Sequence, residues 1–491
     1  MLFDRLARSA RTTFVVAVAS VILTSCGGEA PETAHVAWPS TAPERVLIEN
    51  VAVFDSEALV VRPGRDVVIA DRRIEAVRPH ASQSAAEGAR VIDGRGATLV
   101  PGLIDMHGHI AASTLPTWDF GLPTPEANLT GYAYSGVTTV FDPSDPSGDA
   151  FERRARVADH ELVGPRIFTT GKMLTCPDGH PRALVQAFAP GWIAWWLEDQ
   201  VATGIESIAE AQAEVDVLAE AGADAVKIAI DAIPLTAPTL RRELAQAVVA
   251  RARDHGLRTV AHIGTTRDAI DAGEAGVALW VHGVYKERIP DAQIAQLASY
   301  GIPMVATIEV FDRYARGIRG PIQATRLERE TVSPEVLERF HPIPDDFELG
   351  ALASWIDIAT ESRVNQFDNL RRLRAAGVTI LAGSDVQSGV FPGASLHREL
   401  ANLVDAGMSP AEAIRAATLD PARFIANGGE PDAGIIAAGK RADFILVEGD
   451  PTRDIAALSN IREVFLDGVA IERAAVGANP EQVLGAASAA R

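Results

Sequence analysis

Two histidines one residue apart, His107 and His109, stand in the segment PGLIDMHGH at residues 101–109. On an extended strand, residues i and i+2 leave the same face, so both imidazoles can reach one divalent cation. Four more side chains of metal-ligand type sit in or at the ends of apolar runs: Lys227 in AVKIAI, His262 in RTVAHIG, His282 in ALWVHG and Asp385 in LAGSD. A lysine enclosed in an apolar strand is driven toward its neutral amine. A neutral amine can add carbon dioxide and become a carbamate. Imidazole and carboxylate around a divalent ion are suited to activating water, the chemistry of hydrolysis. Taken singly, each residue has an ordinary reading: a satisfied core histidine, a lysine paired to a carboxylate, an aspartate opening a turn or capping a helix. Cys26 and Cys176 are the only cysteines, too few for a thiolate site.

These residues need elements to bring them together. Between Val100 and about Ile425, apolar strands alternate with amphipathic helices. Eight strands are expected at 103–109, 137–142, 166–171, 225–230, 258–264, 278–283, 302–308 and 378–385. Helices are expected at Ser207–Ala221 and Thr239–His255, and glycines such as Gly222 and Gly377 close helices before the next strand. Eight β-then-α units predict a (β/α)₈ TIM barrel over residues 101–425. The competing doubly wound sheet calls for a nucleotide fingerprint, and no GxGxxG follows the first strand. The stretches 44–100 and 426–475 alternate apolar and polar residues. They predict a small β-sandwich built from both flanks, followed by a tail at 476–491.

With PGLID before the HxH pair and the other candidates at strands 4, 5, 6 and 8, the chain resembles the amidohydrolase superfamily. Within it the imidazolonepropionase-like and Xaa-Pro dipeptidase-like branch fits best. SPAEA at 409–413 and AGIIAAGKRAD at 433–443 add to the likeness. The resemblance implies that His107, His109, Lys227, His262, His282 and Asp385 hold two divalent metal ions, with zinc suited to these donors. It implies a carboxylated Lys227 that bridges the ions, and an Asp385 that also acts as general base and then general acid. A hydroxide between the metals would attack the carbonyl carbon of a small-molecule amide, such as a dipeptide, an N-acyl amino acid or a cyclic amide. The same metals would serve a lactone, ester or organophosphate, and a catalytically inactive binding scaffold is the reading from another class. His180, in the CPDGH loop after strand 3, is a candidate substrate contact, as are Tyr285 and His397. Two features depart from the branch: Gly264 stands where it often has a histidine or tyrosine, and Val281 where an acidic residue is frequent. Aromatic residues gather in two insertions, Phe188, Trp192, Trp195 and Trp196 in one, Phe311, Tyr314, Phe340 and Phe347 in the other. They either cover the active site or pack outside it.

The first residues address the chain. Arg5, Arg8 and Arg11 precede an apolar run, Thr12–Thr24, of about 13 residues, short of the ~20 that span a bilayer. This is the pattern of a secretory signal, and Leu23-Thr24-Ser25-Cys26 resembles a bacterial lipobox. The expectation is a signal peptide at 1–25, a lipid anchor on Cys26 and a Gly/Pro/Ala-rich tether at 26–43. That places the protein in the cell envelope, at the periplasmic face of the outer membrane. The net charge of −20 argues against a nucleic-acid partner, since phosphates would be repelled. Oligomeric state is not legible.

Overall fold

The computed structural model describes residues 32–478, apart from 42, 82–87, 120, 122, 147, 189–190 and 318–319. Cys26, the signal segment and the first part of the tether lie outside the described residues, as does the tail from 479 on.

The flanking strands from the two ends of the chain join in one sheet. Arg45–Asp55 pairs with Val60–Ala70 and with Ala97–Pro101, and Ala97–Pro101 pairs antiparallel with Phe444–Glu448. The alternation of Val46, Ile48, Val51 and Val53 puts one face into a common core with Leu99, Phe444 and Phe465. The rings of Phe444 and Phe465 lie 4.5 Å apart. Part of the segment expected to be tether also folds. His35–Ala37 forms a short antiparallel ladder with Glu472–Ala474, because Ala34 and Ala474 bury against the barrel's outer surface.

The barrel has eight strand positions: β1 (Leu103–Asp105), β2 (Val137–Asp142), β3 (Arg166–Thr169), β4 (Ala225–Ala229), β5 (Arg258–His262), β6 (Leu279–Val281), β7 (Met304–Val305) and β8 (Ile380–Leu381). Parallel pairing runs β1-β2-β3 and β4-β5-β6-β7-β8. Asp224 N donates to Thr169 O at 2.9 Å, and Leu174, just beyond β3, pairs with Ile228 of β4. Met106 N donates to Ala382 O at 3.0 Å, joining β8 back to β1. These bonds close the ring. β2, β4, β6, β7 and β8 are buried at every residue, as strands sealed on both faces must be.

Helices sit where the periodicity placed them, with ends set by capping. Ile208–Glu220 starts at Ser207, whose hydroxyl accepts from Glu210 N in a capping box, a device that stabilises a helix by ~1 kcal/mol. The second expected helix runs Arg242–Asp254. The strands are shorter than the apolar runs that announced them. β1 ends at Asp105, before either histidine. After β6, β7 and β8 the chain leaves the ladder through His282, Thr307 and Asp385, each with positive φ (70°, 48° and 57°). A left-handed non-glycine residue costs roughly 1–3 kcal/mol. The sequence tolerates three in succession at one rim, where they swing side chains inward.

Candidate metal centre

The carboxyl-terminal ends of the strands carry the six candidate ligands, and five are drawn into one buried cluster. His107 Nε2 and His109 Nε2 lie 3.0 Å apart. Asp385 Oδ1 is 3.3 Å from His107 Nε2 and 3.1 Å from His109 Nε2. His282 Nε2 stands 3.0 Å from His262 Nδ1. The rings of His107 and His282 are 4.8 Å apart, which joins the two pairs. Two nitrogens bound to one tetrahedral zinc at ~2.0–2.1 Å must lie about 3.3 Å apart, close to what both pairs show. His107, His282 and Asp385 each offer a ligand atom within 4.8 Å of the others.

Neighbours aim the rings. The Nδ1 of His109 is 3.1 Å from Ser144 O, so that nitrogen carries the proton and Nε2 presents its lone pair to the cluster. His282 Nδ1 is held 2.7 Å from Thr307 Oγ1. The carboxylate of Asp105 accepts from His107 N and from Ser384 N and Oγ. One buried side chain thereby fixes the ends of β1 and β8 together.

The electrostatics favour a cation. Burial holds His107 down to about 3, and His262 and His282 well below the usual imidazole range, so their lone pairs are free. Burial disfavours charge on His109 too, but the Asp142 and Asp385 carboxylates overcome it and lift His109 to about 10. Burial would raise Asp385, yet His107 and its neighbours hold it well below the usual carboxylate range. The carboxylates therefore demand positive charge at this spot. His107 Nδ1 and His262 Nε2 are buried without a hydrogen-bond partner. The donors fit divalent metal ions held by His107, His109 and Asp385 on one side and by His262 and His282 on the other.

Lys227 lies in β4, 1% exposed. Among the described residues no hydrogen bond or ion pair reaches its Nζ, so the paired-lysine reading finds no partner. Burial, opposed only by the charge of Asp385, lowers it to about 7. A large fraction is then neutral amine near neutral pH, the form that adds carbon dioxide.

The substrate candidates separate. The ring of His180 lies 4.7 Å from that of His262, with Nδ1 buried and without a hydrogen bond. Tyr285 is fully buried, and its hydroxyl is already engaged: it donates to Asp231 at 2.7 Å and accepts from Trp355 Nε1 at 2.8 Å. It supports the site from behind. The Nε2 of His397 bonds Ser135 O at 2.8 Å, which turns that imidazole toward a helix end and away from the role suggested for it. Of the aromatic residues, Phe311 packs against His282 at 5.6 Å and stacks on Tyr285 at 4.0 Å. Phe347 sits 6.4 Å from Trp118. Phe340 packs on Phe391, in a cluster apart from Phe311. Trp195 is 62% exposed. The side chains of Phe188, Trp192 and Tyr314 lie outside the described residues.

The sequence reading missed Asp231, two residues after β4. It is 1% exposed and lies 3.4 Å from His262 Nε2. It also accepts from Lys286 Nζ. The signal was Gly264: a Cβ there would run into the Asp231 carboxylate. The place of the side chain that the branch often carries is filled by an acid from the neighbouring strand.

A model of the amidohydrolase family matches residues 98–471. Adenine deaminase 3 of Rhizobium meliloti (strain 1021) is 25% identical over 449 residues, 89% of this chain and 59% of its own length. Imidazolonepropionase of Deinococcus deserti (strain DSM 17065 / CIP 109153 / LMG 22923 / VCD115) is 34% identical over 105 residues, 21% of this chain and 26% of its own. This chain thus spans less than two thirds of either curated relative. Among solved structures, a Xaa-Pro dipeptidase with methionine bound in its active site matches with a TM-score of 0.70 at 24% identity, covering 87% of this chain and 99% of that one.

Proposed function

This chain belongs to the amidohydrolase family, a family of metal-dependent hydrolases, and on that premise we propose that it hydrolyses a C–N bond in a small amide with two divalent metal ions. The substrate class is a dipeptide, an N-acyl amino acid or a cyclic amide. The observation that carries the reading is the convergence of four imidazoles and Asp385 beside a buried Lys227 that forms no ion pair among the described residues. Relatives named as a deaminase and a dipeptidase support the choice of bond.

Zinc at this centre supplies Lewis-acid activation of a carbonyl and of water near neutral pH. The chain's residues do the rest. The Nζ of Lys227 would form a bond to the carbon of carbon dioxide and release a proton, giving a carbamate that would help to hold the metal ions. Asp385 takes the proton from the attacking water and returns it to the leaving nitrogen, base first and acid second. Phe311, against His282, gives the mouth an apolar wall that suits a hydrophobic acyl or amine group. His180, whose ring lies 4.7 Å from that of His262, would contact the substrate.

The decisive experiment measures metal content by mass spectrometry and screens the zinc-loaded protein against dipeptides, N-acyl amino acids and cyclic amides, with lactones and esters as controls. Two ions per chain and chelator-sensitive amide turnover are expected. A protein without divalent metal, or one that turns over lactones alone, overturns the reading.

We also propose that Cys26 carries the lipid anchor, which holds the enzyme at the periplasmic face of the outer membrane. The support is the leader and the Leu23-Thr24-Ser25-Cys26 sequence. Cys26→Ser should release the protein from the membrane fraction; retention there overturns the anchor.

A further inference from the structure

A cavity of about 430 Å³ lies at the other end of the barrel. There the beginnings of β2 and β3, at Thr138 and Arg166, meet turns of the flanking sheet at Asp71–Arg73 and Leu466–Asp467. The volume falls in the range of small-molecule sites, ~300–1,000 Å³. Its lining gathers five arginines and three aspartates in a chain of net charge −20, with Asp432 and Asp224 behind Arg73 and Arg154.

Four of the arginines have partners. Arg73 pairs with Asp432, Arg154 with Asp224, Arg72 with Asp467, and Arg441 with Asp443 and Asp467. These contacts leave donors over. Arg72 uses Nη1 alone, and Arg441 uses Nε and Nη2, out of five N–H groups on each. Arg166 differs. Its Nε is buried without a hydrogen-bond partner, and among the described residues no carboxylate forms an ion pair with it. The guanidinium lies 5.1 Å from the Phe168 ring. The charges of Asp443, Asp432 and Asp467 act on this half-buried guanidinium without bonding it, so its donors stay open to a ligand.

The backbone points to the same place. Arg72 has φ 63° in the turn that joins Val60–Ala70 to Arg73–Pro79, a position where hairpins ordinarily select glycine. The sequence holds a long cation there at the cavity's edge. His160, also at positive φ (61°), stacks on Trp38 at 4.6 Å, and its Nε2 meets Asp467 at 3.0 Å. Together they make a firm, partly aromatic wall.

We propose that this cavity binds a small phosphate-type oxyanion, inorganic phosphate or a phosphate monoester, gripped by Arg166 with the free donors of Arg72 and Arg441. The oxygens of a phosphate match the guanidinium fork and can take up the donors these pairs leave over. The site is separate from the metal centre and does not rest on the reading given for it. Because the anion would bridge barrel and sheet, its binding should stabilise the fold.

The test follows the thermal midpoint of the full metal-loaded chain against inorganic phosphate and, separately, glycerol 3-phosphate, at ionic strength held constant with chloride. The wild type should show a saturable rise with at least one of the two; which one tells whether the bare anion or an ester fits. Arg166→Gln should keep its ligand-free midpoint and weaken the apparent affinity about tenfold or more. Arg72→Ala, at a side chain 61% exposed and so tolerant of loss, should weaken it by a smaller factor. A flat wild-type response overturns the proposal. So does a response that Arg166→Gln and Arg72→Ala both leave unchanged, which would mean that phosphate acts at the metal centre or elsewhere.

Discussion

The two ends of the barrel treat charge in opposite ways. At the base, arginines and aspartates answer one another: Arg441 bridges Asp443 and Asp467, and Arg154 holds Asp224. At the rim, imidazoles face one another, Lys227 forms no ion pair among the described residues, and His107 and His262 each keep an unbonded ring nitrogen. Folding alone gains little from the rim and gives up hydrogen bonds there. An arrangement that is poor for stability and coherent for a cation is what separates a working end from a structural one.

The sharpest break of this contrast is Asp385→Asn. It should lower kcat by about 10²–10⁴-fold while metal content stays near wild type. Steady-state kinetics beside elemental analysis check it, and retained turnover removes the acid/base role. Next is Lys227→Met, an apolar side chain of similar length. It should lose at least one metal ion per chain, and the metal-free protein should melt no lower than metal-free wild type, because an unpaired buried amine stabilises nothing. A clear fall in the metal-free midpoint would make Lys227 a structural residue.

The base should respond the other way. Arg441→Ala leaves the buried Asp443 without its guanidinium and takes one of three basic partners from Asp467, and a loss of about 1–3 kcal/mol in denaturant unfolding is expected, with kcat unchanged. A similar loss of about 1–3 kcal/mol is expected for Gly264→Ala, which must displace Asp231. That variant should also disturb His262, so metal affinity should drop along with stability. A drop in stability alone would detach Asp231 from the centre.

The smallest effect concerns Glu399, a fully buried acid behind the rim whose carboxylate accepts from Glu309 N at 2.8 Å. Burial pushes it up to about 8. Its folded-state value therefore exceeds the unfolded one, near 4.3, and its protonated form suits the fold. The group costs nothing below about pH 4, and its penalty grows as pH rises from there to about 8. Glu399→Gln should flatten that part of the Tm–pH curve; an unchanged slope places the charge elsewhere.

The barrel was legible because its evidence is local: apolar runs of strand length, helical periodicity and glycines at helix ends. The ligands were legible because each sits at the end of such a run. What the runs did not reveal was where the ladder stops. β1 ends before His107, and β6 and β8 release the chain before His282 and Asp385, so the convergence comes from left-handed turns as well as from strand pleat. Asp231 stayed hidden because its meeting with His262 depends on two neighbouring strands and on the emptiness of Gly264. His397 misled because a histidine in the first turn of the helix after β8 can face either way. Its helix, Ala394–Asp405, packs so that Ser135 receives it.

The Asp105 carboxylate, clamped to Ser384, ties together residues 279 positions apart in the chain. Two of the three candidate ligands on that side, His107 and His109, are synthesised near the start of the barrel, and Asp385 comes only with its last strand. Loop closure over that span adds only slowly to the entropic cost, so the join is attainable but late. A nascent or truncated chain that stops before β8 holds histidines without Asp385. A partly folded chain therefore lacks the finished candidate centre.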